Sequence, residues 1–147
     1  MIRALKVIAA ANIAGEADDA IDLIFDERHR RRIVMTSTNG REFLLDLPQA
    51  IAIADGDGLE LEDGSIIIVR AKAETVAEIT PRDAQHYAQI AWHLGNRHLP
   101  TEILDGRLRI HDDHVIVDMV RKLGATVEIL QAPFHPEGGA YGHAHEH

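Results

Sequence analysis

Thr75-Val76-Ala77-Glu78-Ile79-Thr80-Pro81-Arg82-Asp83 opens the part of the chain in which strands alternate with helices, after a change from strands alone around residues 71–74 that marks the expected domain boundary. Residues 75–79 read as a strand. Thr80 offers a helix cap, Pro81 suits the first helical position because its missing amide hydrogen is not needed there, and Asp83 puts an acid in the first turn. A helix is expected from Pro81, with a buried stripe at Ala84, Tyr87, Ala88, Ala91 and Leu94. Gly95 suits the left-handed residue that ends it. His86 and His93 fall opposite that stripe, about 10.5 Å apart along the axis, so they cannot share an ion and read as solvated. Ile90 between them suggests that this face touches something else.

Downstream, residues 101–104 and 107–111 form two strand candidates joined at Asp105-Gly106 as a two-residue hairpin. Asp112 or Asp113 caps a second helix whose apolar face is Ile116, Met119, Val120 and Leu123, with Gly124 after it. Residues 125–130 close as a strand, and from Gln131 the chain is expected to loosen. Strand, helix, strand, strand, helix, strand is the ferredoxin-like order, with both helices on one face of a four-stranded sheet.

Upstream the chain reads as all-β, with strands at 2–8, 20–25, 31–38, 42–47, 59–61 and 65–70, and hairpins at Asn39-Gly40 and Asp63-Gly64. Asp55-Gly56-Asp57-Gly58 lacks the ligand spacing of an EF-hand and reads as a plain turn. The expected class is α+β: an N-terminal all-β domain (1–72), a ferredoxin-like βαββαβ domain (73–134) and a flexible histidine-containing C-terminal tail (135–147).

Composition narrows the chemistry. A chain of 147 residues with 46% apolar and 27% charged content is ordinary for a soluble globular protein. It has no apolar run long enough to span a bilayer and no secretory cleavage pattern, so a cytoplasmic location and no membrane partner are expected. The net charge of -9 argues against nucleic-acid binding, which needs a concentrated positive surface. The basic run Arg28-His29-Arg30-Arg31-Arg32 reads as a solvated strand edge guarded by charge, or as a dock for an acidic partner. With no cysteine, a metal site must use imidazole, carboxylate, backbone or water, which favours nickel, copper(II) or zinc.

Histidine placement points the same way. His143-Ala144-His145-Glu146-His147 puts three of the 10 histidines on an end with no apolar pattern, and His135 lies upstream. Imidazole is the commonest metal donor, and its neutral form is populated near pH 7. The alternation with Ala144 and Glu146 departs from the consecutive histidines of a purification tag. His111 and His114 flank Asp112-Asp113 at a strand-to-helix corner, which suits either a weak surface site or plain capping. His98, in Gly95-Asn96-Arg97-His98-Leu99-Pro100, follows the helix end, and by spacing alone it reads as an ordinary loop histidine. A twofold axis beside it would bring two imidazoles together.

Ala91-Trp92-His93-Leu94-Gly95-Asn96-Arg97-His98, the 108–115 stretch Leu-Arg-Ile-His-Asp-Asp-His-Val, and the 132–141 stretch Ala-Pro-Phe-His-Pro-Glu-Gly-Gly-Ala-Tyr resemble the urease accessory nickel chaperones of the UreE family. The likeness spans nearly the whole chain. It implies a homodimer of two-domain chains, with the β domain associated with partner docking. One Ni(II) would be shared by His98 of each protomer, with His135 as an additional tail ligand and His143, His145 and His147 as a flexible store. The implied partners are a UreG-type urease accessory GTPase and the apo-urease maturation complex. Where some relatives carry a His-X-His pair, this chain has Asp112 and His114, leaving His114 and His111 as candidates for an auxiliary site.

Two rival functions follow from residue chemistry alone. A general zinc or copper buffer would rest on the tail and would not need the turn at His98. A metalloenzyme is disfavoured, because the chain has no zincin-type helix carrying two histidines at i and i+4, no phosphate-cradling Gly-x-x-x-x-Gly-Lys loop and no cysteine nucleophile.

Overall fold

A computed structural model of the chain describes residues 1–137. They separate into two compact units, one holding Met1–Lys72 and one beginning at Ala73.

The first unit contains β1 (Arg3–Ile8), β2 (Asp19–Leu23), β3 (Arg32–Thr36), β4 (Glu42–Asp46), β5 (Gly58–Leu61) and β6 (Ile66–Ala71). They form one sheet in the order β2-β6-β5-β1-β4-β3, with β1/β4 and β2/β6 parallel and the other pairs antiparallel. Strand alternation builds the core. On β4, Phe43 and Leu45 are fully buried while Glu42, Leu44 and Asp46 take the other face. The residues after β3 clasp β2: the Thr38 amide donates to the Ala20 carbonyl at 2.7 Å and the Asn39 amide to Asp19 Oδ1 at 3.2 Å. The Ser37 hydroxyl donates to Asp19 Oδ2. The two ends of the sheet order are thereby tied to one another.

The strand expected through Phe25 stops at Leu23, and Phe25–His29 is a 3-10 helix whose entry is fixed by the Ile24 amide donating to Glu27 Oε1 at 3.0 Å. This changes the reading of the basic run. Arg28 is buried within that short helix, Arg31 donates to the Leu47 carbonyl, and Arg32 pairs with Asp46 on the edge strand β3.

The second unit holds β7 (Glu74–Thr80), α1 (Ala84–Asn96), β8 (Glu102–Leu104), β9 (Arg107–His111), α2 (His114–Lys122) and β10 (Thr126–Ala132). The sheet is antiparallel in the order β10-β7-β9-β8, which is the ferredoxin-like βαββαβ arrangement. Ala77, Ile79, Leu108 and Ile110 face the helices and pack with Ile90, Leu94, Ile116, Val117 and Val120. Their neighbours along each strand lie on the other face, where Glu78 joins Arg107 at 2.9 Å and Arg109 at 3.0 Å. Tyr87 ties α1 to the β8–β9 hairpin, its hydroxyl donating to the Leu104 carbonyl at 2.9 Å and lying 3.1 Å from that of Arg107. Burial pushes the Tyr87 phenol above its usual range.

Several local expectations are corrected. Asp83, not Thr80, caps α1, accepting the His86 amide at 2.8 Å, so the helix starts three residues later than Pro81. The buried stripe is His86, Ile90 and Leu94, with Tyr87 and Ala91 half-buried; Ala84 and Ala88 are exposed. Ile90 belongs to this unit's own core. His86 is a core residue rather than a solvated one. Its Nδ1 accepts the Arg82 amide hydrogen at 2.9 Å, so Nε2 carries the ring proton and donates to the Leu123 carbonyl at 2.8 Å. The ring bridges the start of α1 to the end of α2. On α2, Asp113 is the cap and Val117 is buried, whereas Leu123 is at the surface. β10 runs to Ala132, and Phe134 beyond it is fully buried, so the chain does not loosen at Gln131.

His86→Ala leaves a backbone donor and a backbone acceptor without partners and opens a cavity, and it is expected to cost about 2–4 kcal/mol in urea unfolding, against less than about 0.5 kcal/mol for His93→Ala. Asp19 supplies a pH test. Burial raises its pKa, but the Ser37 hydroxyl, the Ala20 and Asn39 amides and the Arg41 charge outweigh that and hold it below its ordinary value of 3.8. Its contribution is therefore present above pH 3.8 and lost as pH falls through the lower folded value. Asp19→Asn is expected to flatten the stability-against-pH curve in that acid limb while leaving its slope above pH 6 unchanged.

Candidate metal centre

The last turn of α1 decides how His98 is presented. Asn96 is the final helical residue, Arg97 is the cap, and His98 has φ 58°, the one positive φ outside glycine among the described residues. The His98 amide donates to the Gly95 carbonyl at 3.0 Å and the Leu99 amide to that of Leu94 at 3.3 Å. These two bonds are the paired closure of a Schellman motif, and Leu99 packs on the core cluster that contains Leu94. The left-handed residue is thus His98, not Gly95, because the helix runs three residues further than Gly95 would allow as its stop.

α2 supplies an internal comparison. It closes by the same pair of bonds, Gly124 amide to Arg121 carbonyl at 2.9 Å and Ala125 amide to Val120 carbonyl at 3.2 Å, with Gly124 at φ 97°. A Cβ at Gly124 would come within 2.9 Å of Arg82 Nη1. The equivalent place on α1 holds a histidine, although an L side chain in the left-handed region costs roughly 1–2 kcal/mol. The imidazole gained is exposed, at the carbonyl end of a 13-residue helix, where the axial dipole favours a cation.

The other candidates are placed differently. His111, on β9, sets Nε2 2.7 Å from Glu74 Oε1 on β7, and its ring lies 4.4 Å from that of Phe134. His114 is the first residue of α2, exposed on a cleft of about 450 Å³ lined also by Asp112, Asp118 and Arg121. The His135 side chain is exposed, and its backbone amide donates to Glu102 Oε1 at 3.2 Å. His143, His145 and His147 lie outside the described residues. Among the described residues, no three of His, Asp and Glu converge closely enough to hold an ion. No helix among them is long and apolar enough to cross a membrane.

Phe134, Glu74 and Glu102 escaped the sequence reading. The available signal was a phenylalanine inside a segment taken for a wet tail.

Residues 1–72 match the UreE urease accessory protein N-terminal domain, and residues 74–147 match its C-terminal domain. Those two matches, which together span the chain, make it a urease accessory protein and not an enzyme. The chain is 55% identical over 146 residues to the urease accessory protein UreE of Rhodopseudomonas palustris strain HaA2, covering 99% of this chain and 68% of that protein. It is 54% identical to the one from Bradyrhizobium sp. strain ORS 278, over 99% of this chain and 70% of the relative. With the one from Chelativorans sp. strain BNC1 the identity is 49%, over 96% of this chain and 99% of the relative. The chain belongs to the UreE family of urease accessory proteins.

His98→Gly is expected to raise stability to urea by about 1 kcal/mol, because glycine adopts the left-handed backbone without a Cβ clash. Gly124→Ala is expected to lower it, and the two shifts together test whether the strain at His98 is real.

Proposed function

We propose that the protein is a nickel carrier for urease assembly, binding Ni(II) through His98 of two protomers at a homodimer axis and passing it on by ligand exchange. The observation that carries this reading is the constrained His98. A helix end that would be more stable with glycine keeps an exposed imidazole instead, as expected where backbone strain serves a site. One imidazole makes a poor site, and the described residues of one chain add no second and third donor beside it. Twofold pairing supplies a second imidazole, and His135, His143, His145 and His147 supply further donors. His114 is an auxiliary site with the carboxylates of its cleft. His111 joins it only by leaving Glu74.

The β unit docks the maturation machinery, including a UreG-type GTPase, in the cytoplasm. A mixed site of two imidazoles from the helix ends and further donors from the tail exchanges ligands one at a time, which suits delivery better than a closed four-ligand structural site does. Ligand type does not select nickel over copper(II) or zinc. Family membership supports nickel.

Sedimentation combined with metal counting tests the reading. The wild-type chain is expected to form a dimer that takes up nickel, and His98→Ala to lose one ion per dimer while remaining folded. Retention of that ion would refute the site. Because metal binding requires neutral imidazole, whose ordinary pKa is about 6.5, nickel affinity is expected to fall at least tenfold between pH 7.5 and pH 5. Equal affinity at both would exclude histidine ligation.

A further inference from the structure

Residues 133–137 form a short extended path with three separate fixings. Phe134 is fully buried and packs its ring against that of His111, centroids 4.4 Å apart and planes tilted by 45°, and His111 Nε2 is held 2.7 Å from Glu74 Oε1. The His135 amide donates to Glu102 Oε1 at 3.2 Å, and Glu102 is itself buried. The Glu137 amide donates to the Thr101 carbonyl at 2.9 Å.

Strand alternation puts Glu74, His111 and Glu102 on the sheet face turned away from the helices, since Ala77, Leu108 and Ile110 take the helix side. The path leaves β10 at one edge of the sheet, meets His111 on β9, and reaches β8 at the opposite edge. Three interstrand spacings make about 14 Å, and five extended residues span about 17 Å, so the segment is just long enough. It ends at Thr101, three residues after His98.

We propose that this segment is a strap that roots the histidine-bearing C terminus beside the His98 turn, with Phe134 as its pin and His111 and Glu102 as positioning residues. The proposal rests on the nickel reading above and adds to it how the tail is brought to the site. While it stays on Glu74, His111 thereby serves nickel binding without ligating nickel, its ring being occupied by a carboxylate and a buried aromatic.

The consequence is one of effective concentration. With the strap in place, His143 lies six positions along the chain from Glu137. With it released, the last fixed point is Ala132, eleven positions from His143 and at the opposite edge of the sheet. Local concentration falls at least as the three-halves power of tether length, and the added span increases the loss, so unpinning is expected to weaken tail-assisted nickel binding roughly three- to tenfold.

The test is a double-mutant cycle on the full chain, read by nickel titration calorimetry. Phe134→Ala is compared with the triple change His143→Ala, His145→Ala and His147→Ala, and with the combination. The strap predicts that Phe134→Ala weakens nickel three- to tenfold when the tail histidines are present and has no effect when they are absent. An equal loss in both backgrounds would assign Phe134 to the fold alone, and no loss in either would remove the strap's role; both outcomes overturn the proposal. Glu102→Ala and Glu102→Gln are the second pair, milder for the fold. Alanine removes the acceptor of the His135 amide and is expected to reproduce the tail-dependent loss, while glutamine keeps an acceptor oxygen and is expected to restore binding. Failure of glutamine to rescue would count against the strap. His98→Ala in the same titrations keeps the two ideas apart: nickel binding indifferent to His98 overturns the site, whereas binding that depends on His98 but not on Phe134 overturns the strap alone.

Discussion

Everything in the second unit depends on how α1 stops. A helix leaves its last carbonyls without intrahelical partners, and here two are taken up by the amides of His98 and Leu99 as the chain turns through the left-handed region. That turn returns Leu99 to the core beside Leu94, starts the path into β8, and sets out the imidazole of His98. Packing, topology and the exposed donor share one backbone constraint. Moving the stop by a residue would change all three.

The histidines divide by what their nitrogens are doing. In His86 both ring nitrogens are spent on backbone groups, so the residue acts as a polar rivet between the two helices. His111 gives one nitrogen to Glu74 and its ring face to Phe134. His98, His114 and His135 have exposed side chains. Reversible metal handling needs imidazoles of this last kind, because a ligand already committed to the fold cannot leave it without cost. Histidine content in the sequence therefore overstates the number of available donors, and burial sorts them.

Outside that chemistry the molecule is held conventionally. The β unit buries alternate residues of its strands and ties the ends of its sheet at Asp19. The surface ion pairs, such as Lys122 with Asp118 at 2.9 Å, lie in water and add little each. Hydrophobic burial dominates: a fully buried Leu94 or Ile90 contributes about 1.5–3 kcal/mol.

Strand periods, the Asp105-Gly106 hairpin, the Asp113 cap and the glycine after α2 are local properties, encoded within a few residues, and they were enough to read the βαββαβ order and the β unit before it. The lack of cysteine and the crowding of histidine likewise narrowed the chemistry without any coordinates. Three things were decided only by tertiary structure. Which face of α1 is buried turned on a polar residue, His86, finding two backbone partners from elsewhere in the fold. The left-handed place fell on His98 rather than Gly95 because the helix continued until Leu99 could meet the core. The segment after β10 became a fixed strap because Phe134 found His111 two strands away. Each depends on groups far apart along the chain, whose meeting no local pattern of residues specifies.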